Sequence, residues 1–137
     1  MNMLPGEIIG IDREEGISLV KIRLETLPFT SIVLDTPADS PYLAIGHPVN
    51  LLFKETEVII ARSPVIISVR NRIECNIKSI RSGKLLDELT LGFTGMLTRR
   101  QYEIRSIITH EASEQLELKE GDKIIALIKT NEVSLSA

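Results

Sequence analysis

The side chains that could carry chemistry are mainly cationic and hydroxyl groups at the ends of short apolar segments. Ser68 and Arg70 precede one such segment, Thr109 closes another, and Lys129 closes a third. Ser113 follows Thr109 at the start of a predicted short helix. Cations, hydroxyls and free backbone N–H groups at a helix start are donors suited to a tetrahedral anion. The sequence therefore predicts an oxyanion site made of these five residues.

This donor set contains no carboxylate, which restricts the anion. Molybdate and tungstate are fully deprotonated at neutral pH, so they only accept hydrogen bonds. Hydrogen phosphate carries a proton that would lack an acceptor, and a buried unpaired polar group costs about 1–3 kcal/mol. Sulfate would have to be rejected by its size. The pattern therefore favours molybdate or tungstate and does not separate the two.

Residue patterns for catalysis are missing from the sequence. His47 and His110 do not stand at metal-ligand spacing with each other or with Cys75. There is no GxSxG, GxxxxGK[ST] or GxGxxG motif. Cys75 falls on the inward phase of a predicted strand and is expected to be a buried core thiol. His47 is predicted in a loop, and His110 ends a strand beside the predicted anion site. We expect a binding protein without enzymatic activity.

The composition indicates an ordinary soluble protein of the cytoplasm. Of 137 residues, 43% are hydrophobic and 26% charged, and the net charge is -3. An acidic chain with 4% aromatic residues lacks the basic field and the stacking surface of a nucleic-acid-binding barrel. One cysteine fits a reducing compartment, and no apolar run approaches the roughly 18 residues of a membrane span. The N-terminus shows no signal pattern.

Most apolar segments are short, β-branched and bounded by turn residues, which predicts strands. Residues 14–16 predict a hairpin turn. Residues 111–118 are the best helix candidate and are expected to form one or two turns. The predicted strands are 7–12, 17–24, 30–34, 49–53 and 58–61, then 73–80, 84–91, 102–109, 123–128 and 133–135.

The second half of the chain repeats the first. Ser31 matches Ser106, Gly46 matches Gly121 and Lys54 matches Lys129, all at an offset of 75 residues. Residues 8–11 match 77–80 at an offset of 69, so the second copy contains a longer connection around residues 93–102. The sequence therefore predicts two copies of one all-β module, residues 1–62 and 63–137, packed together rather than loosely linked.

Several of these segments together resemble the molbindin module, also called the Mop or TOBE domain. The matching pattern is S-x-R-N from residue 68, S-I-I-T from residue 106, L-x-L-x-x-G from residue 116 and I-K at residues 128–129. It covers residues 67–136, and residues 1–62 resemble the module more loosely. The resemblance implies two OB-like five-stranded barrels with a short helix in the second. It also implies oligomers that bind oxyanions at module interfaces.

Carried over by position, Ser68 and Arg70 match the N-terminal ligands of the family, Thr109 its hydroxyl ligand and Lys129 its lysine. The family often has Ser where this chain has Ala112. The neighbouring Ser113 is the candidate substitute for that donor.

The first module departs further from the family pattern. No S-x-R precedes Asn2, which aligns with Asn71, and Leu34 stands where Thr109 does. Pro37 falls near the expected helix start, and Lys54 alone persists. We therefore expect fewer sites than two identical modules would give, formed chiefly by second-module residues across a dimer or higher homo-oligomer.

Three functions stay open at this point. The first is cytoplasmic molybdate or tungstate binding for molybdenum homeostasis, through storage, buffering or sensing. The second is a regulatory domain that docks on a molybdate-transporter ATPase or a molybdate-responsive transcription regulator. A similar pair of modules occurs in both, but this chain has neither nucleotide-binding motifs nor a helix-turn-helix pattern. The third, a nucleic-acid-binding OB barrel, is disfavoured by the acidity of the chain.

Overall fold

The computed structural model describes residues 1–34 and 40–137, and the strands within those ranges form two antiparallel five-stranded sheets. In chain order the strands are β1 (Asn2–Glu14), β2 (Ile17–Leu24), β3 (Leu27–Val33), β4 (Pro48–Phe53), β5 (Ile59–Ala61), β6 (Asn71–Ser82), β7 (Leu86–Thr94), β8 (Gln101–Thr109), β9 (Lys123–Ile128) and β10 (Ser134–Ser136). Helix α1 (His110–Gln115) follows β8, and single 3-10 turns lie at Glu55–Glu57 and Thr130–Glu132. The predicted all-β fold with one short helix in the second half is confirmed.

The two sheets exchange their last strands. The first sheet has the order β10-β4-β1-β2-β3, and the second has the order β5-β9-β6-β7-β8. Leu135 of β10 pairs with Leu51, and Ile60 of β5 pairs with Ala126. Hydrogen bonds between strands therefore cross the predicted boundary between residues 62 and 63. The division of the chain into two modules at that boundary stays a prediction. A three-residue strand fits either of two equivalent sheet edges, so sequence patterns do not show which edge it joins.

Matching backbone geometry in the two halves explains the sequence repeat. The N–H of Gly46 donates to the Ile8 carbonyl and the N–H of Gly121 to the Ile77 carbonyl, both at 2.7 Å. Both glycines have φ near +90° (89° and 90°), a conformation that L side chains rarely adopt. The register of β1 with β2 shifts beyond Ile8, and that of β6 with β7 shifts beyond Ile77. Both halves therefore carry a bulge at the same place.

The hairpin turns follow from local residue types. Glu15 and Gly16 both have positive φ (47° and 81°), as a two-residue turn between right-twisted strands requires. The predicted turn at residues 14–16 is confirmed. The strand predicted at 84–91 is displaced to β7 because the N–H of Gly83 bonds the Leu86 carbonyl (2.8 Å), leaving Lys84 and Leu85 in the turn.

One continuous apolar core runs through both halves. Inward side chains alternate along the strands, as Val20, Ile22 and Leu24 do in β2. Cys75 belongs to this core at 3% exposure, and burial raises the pKa of its thiol to about 12. The predicted core thiol is therefore confirmed. Helix α1 is shorter than predicted, and Glu117 follows it with φ of 52°.

Candidate oxyanion site

Three predicted site residues lie together at one end of the second sheet. The antiparallel register pairs Asn71 of β6 with Ile128 of β9, so Arg70 and Lys129 follow directly beyond that pair. Paired strands lie about 4.8 Å apart. Ser68 precedes Arg70 by two residues, and all three side chains are exposed. We call Ser68, Arg70 and Lys129 the cationic end.

The charges of the cationic end are not neutralised by neighbours. Arg70 and Lys129 form no ion pair with any carboxylate in the described ranges. The guanidinium of Arg70 donates to its own segment, from Nε to the Ser68 carbonyl (3.0 Å) and from Nη2 to the Ile67 carbonyl (3.2 Å). Because a guanidinium has further N–H donors, it can still bind an anion.

A buried amide fixes the cationic end against the first half of the chain. Asn71 is 0% exposed. Its Oδ1 accepts the N–H of Thr30 (2.7 Å), and its Nδ2 donates to the Thr30 carbonyl (2.9 Å). The Ser31 hydroxyl donates to the Val133 carbonyl (2.6 Å). The cationic end therefore lies beside β3.

Thr109 lies at the junction of β8 and α1 and caps the helix. Its Oγ1 accepts the N–H of Ala112 at 3.1 Å. A hydroxyl has one proton to donate in addition to its acceptor sites, so this bond leaves the proton of Thr109 available to an anion. Thr109 is exposed. We call Thr109 and the first turn of α1 the hydroxyl end.

Ser113 points away from such an anion. Its side chain is 6% exposed and hydrogen bonds the carboxylate of Asp87 in β7. The hydroxyl is therefore engaged within the protein. Its role as the substitute for the expected serine at position 112 stays a prediction.

The cationic end and the hydroxyl end are far apart in one chain. Thr109 pairs with Leu86, and the neighbouring Asp87 pairs with Ser82 at the last residue of β6. Arg70 precedes the first residue of β6, whose twelve residues span roughly 35–40 Å at about 3.3 Å per residue. One copy of the chain therefore does not bring the two ends together through this sheet.

Lys54 occupies the position equivalent to Lys129 in the first sheet. It follows Phe53, which pairs with Asn2, and its side chain is exposed. The Asn2 side chain exchanges two hydrogen bonds of 2.8 Å with the backbone of Arg105 in β8. Lys54 therefore lies on the β8 side of the molecule, whereas the cationic end lies on the β3 side. The prediction for Pro37 falls outside the described residues.

An acid–base cluster that extends from a buried carboxylate to the surface underlies the hydroxyl end. Asp87 is 1% exposed, and His110 Nδ1 lies 2.9 Å from its Oδ1. Burial raises the pKa of Asp87, but the hydrogen bonds from His110 and Ser113 outweigh it and hold that pKa below its usual value. The hydrogen bond to Asp87 raises the pKa of His110. The other ring nitrogen, Nε2, contacts the carboxylate of Glu114.

Sequence analysis singled out His110 but missed Asp87. The sequence signal for Asp87 is a carboxylate at an inward-facing position of a strand in which apolar and polar residues alternate. Asp87 shares its side of β7 with Leu89 and Leu91, both fully buried. An acidic residue at such a position is rare unless it is paired.

A groove of about 930 Å³ lies elsewhere, on the outward side of the second sheet. Arg72, Lys78 and Lys123 line it, and none of the predicted site residues does. Within residues 1–34 and 40–137 there is no cluster of three His, Cys, Asp or Glu side chains that could hold a metal ion. No helix in those ranges is long and apolar enough to cross a membrane.

Residues 67–135 match the model of the TOBE domain, which covers half of the chain and both the cationic and hydroxyl ends. This chain belongs to the TOBE domain family. The predicted family is therefore confirmed, and the match falls on the half that resembled the family more closely.

Relatives of this TOBE protein extend the comparison to the first half. It is 32% identical over 133 residues to the molybdenum-pterin-binding protein MopB of Rhodobacter capsulatus. The alignment covers 95% of this chain and 47% of MopB, so the chain spans about half the length of that curated relative.

Among solved structures, the cytoplasmic molybdate-binding protein ModG, in a crystal form with molybdate bound, matches with a TM-score of 0.87 and 27% identity. That match covers 99% of this chain and 95% of ModG, so the two proteins share one fold over nearly their whole length. A molybdate-binding protein from Sporomusa ovata covers 53% of this chain and 100% of its own, with 29% identity and a TM-score of 0.47.

Proposed function

We propose that this chain binds molybdate or tungstate in the cytoplasm and serves molybdenum homeostasis by storage, buffering or sensing, without catalysis. The observation that carries the proposal is the cationic end. Arg70 and Lys129 extend from adjacent strand ends beside Ser68, and no described carboxylate pairs with either. An anion that only accepts hydrogen bonds suits that donor set. The match to ModG over nearly the whole chain supports the same ligand.

The site that we propose combines the two ends described above. Arg70 and Lys129 neutralise the dianion, and the hydroxyls of Ser68 and Thr109 donate to its oxygens. Lys54 is the counterpart of Lys129 and supplies a cation on the β8 side. Because the Ser113 hydroxyl bonds Asp87, we propose that Ser113 acts through the position of α1 and not as a direct donor to the anion. The residues of the second module, 63–137, supply most of the site, and the first module, 1–62, supplies Lys54.

The separation of the two ends supports a homo-oligomer, a dimer or a larger assembly. Because β6 separates Arg70 from Thr109, a second copy would supply the missing half of each site. Large exposed apolar side chains are available to bury in such a contact. They include Ile66, Leu34, Leu85 and Ile45.

A second candidate is an interaction domain that senses the oxyanion while docked on a molybdate-transporter ATPase or a transcription regulator. This candidate rests on the resemblance of the paired modules to those of the two proteins. Co-purification with a transporter ATPase from cells grown with and without molybdate separates the two candidates. Anion-dependent co-purification supports docking, and its absence in both conditions supports a free-standing binder.

Calorimetric titration with molybdate, tungstate, sulfate and phosphate tests the main proposal. We expect binding of the first two anions only. Arg70→Ala and Lys129→Ala should each weaken molybdate binding at least about tenfold, because each removes a charged hydrogen-bond donor.

Lys119→Ala is the matched control, since Lys119 precedes β9 whereas Lys129 follows it. Six strand residues, about 20 Å, separate the two lysines. The control should bind molybdate as the unmodified chain does. Unchanged binding in both Arg70→Ala and Lys129→Ala would contradict the site.

A further inference from the structure

Asp87 is a buried carboxylate in a strand whose other inward residues are apolar. At 1% exposure it has lost its hydration, and an ion without water is costly unless several donors surround it. Its donors are His110 Nδ1, the Ser113 hydroxyl and the backbone N–H of Gly83, which also bonds the Leu86 carbonyl. All three belong to segments beyond the strand: His110 and Ser113 to α1, and Gly83 to the turn between β6 and β7.

The geometry around His110 shows the charge state of this cluster. Nδ1 contacts Asp87 and Nε2 contacts Glu114, so both ring nitrogens meet carboxylate oxygens. Because a carboxylate only accepts hydrogen bonds, both contacts favour the protonated ring, and both nitrogens donate when His110 is an imidazolium. His110 directly follows Thr109, so the cluster lies directly beside the exposed hydroxyl, and its two carboxylates balance the charge of the ring.

The first half of the chain has no carboxylate at the position equivalent to Asp87. Asp87 pairs with Ser82 as Ser18 pairs with Arg13, and the two pairs are related by the offset of 69 residues. Ser18 therefore stands where Asp87 does, and Leu34 stands where Thr109 does. The buried carboxylate and the candidate ligand hydroxyl occur in the same half.

We propose that Asp87 is a positioning residue for the oxyanion site: it holds His110 and Ser113 so that the Thr109 hydroxyl stays aimed at the anion. This role rests on the proposed function. Asp87 does not touch the anion, because its carboxylate is negative and buried beneath α1. It acts through the first turn of α1, in which the Ala112 N–H donates to Thr109 Oγ1 and leaves the hydroxyl proton available to the anion.

Two substitutions test this role. Asp87→Asn keeps the shape of the side chain and one acceptor oxygen. Asp87→Ser introduces the residue type that occupies the equivalent position, Ser18, in the first half. Molybdate affinity is measured by calorimetry well below the unfolding temperature, and hydrogen exchange of the Ala112 amide is measured by NMR. We expect Asp87→Ser to weaken binding about tenfold, the factor of one hydrogen bond to a charged group, and to speed exchange at Ala112. Asp87→Asn should retain part of both properties.

Ser106→Ala is the control, because Ser106 lies in β8, the strand that ends at Thr109. Its buried hydroxyl donates to the Val58 carbonyl (2.8 Å) and not to a group of α1. It should lower stability while leaving both readouts unchanged. If folded Asp87→Ser binds molybdate as tightly as the unmodified chain does, the positioning role is wrong and the proposed function stands. If the unmodified chain binds neither molybdate nor tungstate, both fall.

Discussion

The two halves of this chain share one framework and differ at their strand ends. Asn2 and Asn71 each hold a backbone segment of the opposite half, at Arg105 and Thr30. Ser31 and Ser106 each donate to a carbonyl near the 3-10 turn of the opposite half. These pairs are related by the repeat, so the contacts between the halves form a nearly two-fold symmetric set.

The residues with candidate chemistry break that symmetry. Arg70 precedes β6, Thr109 caps α1 and Asp87 lies beneath it. In the first half, Leu34 stands in place of Thr109, and Ser18 stands in place of Asp87. The repeat retains its interlocking contacts and differs at the proposed ligand positions. Under the proposed function, the first half would serve mainly to complete and support the second.

Removing the interlocking amides tests the symmetric part of the comparison and should have the largest effect. Asn71→Ala leaves the buried N–H of Thr30 without its partner, and we expect a loss of about 2–3 kcal/mol in the free energy of unfolding. Asn2→Ala removes the equivalent, less buried bonds and should cost less. Urea unfolding of both variants measures the difference. A larger loss in Asn2→Ala would contradict this ranking.

The next prediction concerns a contact without a symmetric counterpart. The connection from β7 to β8 spans residues 95–100, whereas the one from β2 to β3 spans residues 25–26. Glu25 Oε1 accepts the N–H groups of Leu97 (3.0 Å) and Thr98 (2.8 Å). Its Oε2 accepts the hydroxyls of Thr98 and Tyr102, both at 2.8 Å. These bonds, led by that from the Thr98 backbone, lower the pKa of Glu25 from 4.5 to about 2.

A lowered pKa means that the folded state favours the ionised carboxylate. The resulting stabilisation is present above pH 4.5, the ordinary pKa, and is lost as the pH falls toward about 2. The urea midpoint of the unmodified chain should therefore fall relative to that of Glu25→Gln across this range. If the urea midpoints of the two proteins change with pH in parallel, Glu25 does not stabilise the connection from β7 to β8.

The smallest expected effect belongs to His110. Its bond to Asp87 raises its pKa above 6.5, so the contribution to stability is present below 6.5 and is lost as the pH rises through the raised value. NMR titration of the His110 ring should show the raised pKa in the unmodified chain and a lower one in Asp87→Asn. The same pKa in both proteins would place the cause outside Asp87.

Much of the framework could be predicted from the sequence because it depends on local patterns. Alternating apolar residues predict strands such as β2, and the repeated glycines mark equivalent bulges. The longer second connection followed from the change in repeat offset. The exchange of β5 and β10 could not be predicted, because each has three residues and the edges available to it are alike.

The positions of the candidate site residues could be predicted where they depend on strand ends, but not where they depend on side-chain direction. Arg70 and Lys129 flank strands that pair, so their proximity follows from the register. The sequence predicts Ser113 as the substitute for the serine expected at position 112, whereas the structure shows that its hydroxyl bonds Asp87. Asp87 itself was overlooked, because one acidic residue in an alternating strand is usually taken for a solvent-exposed position.

The exchanged strands have a consequence for how the molecule holds together. A cut between residues 62 and 63 would not release two finished barrels. The N-terminal piece would lack β10 and carry β5 for the other piece, while the C-terminal piece would lack β5 and carry β10. Each fragment would carry the edge strand that completes the sheet of the other, so the two fragments should remain associated after the cut.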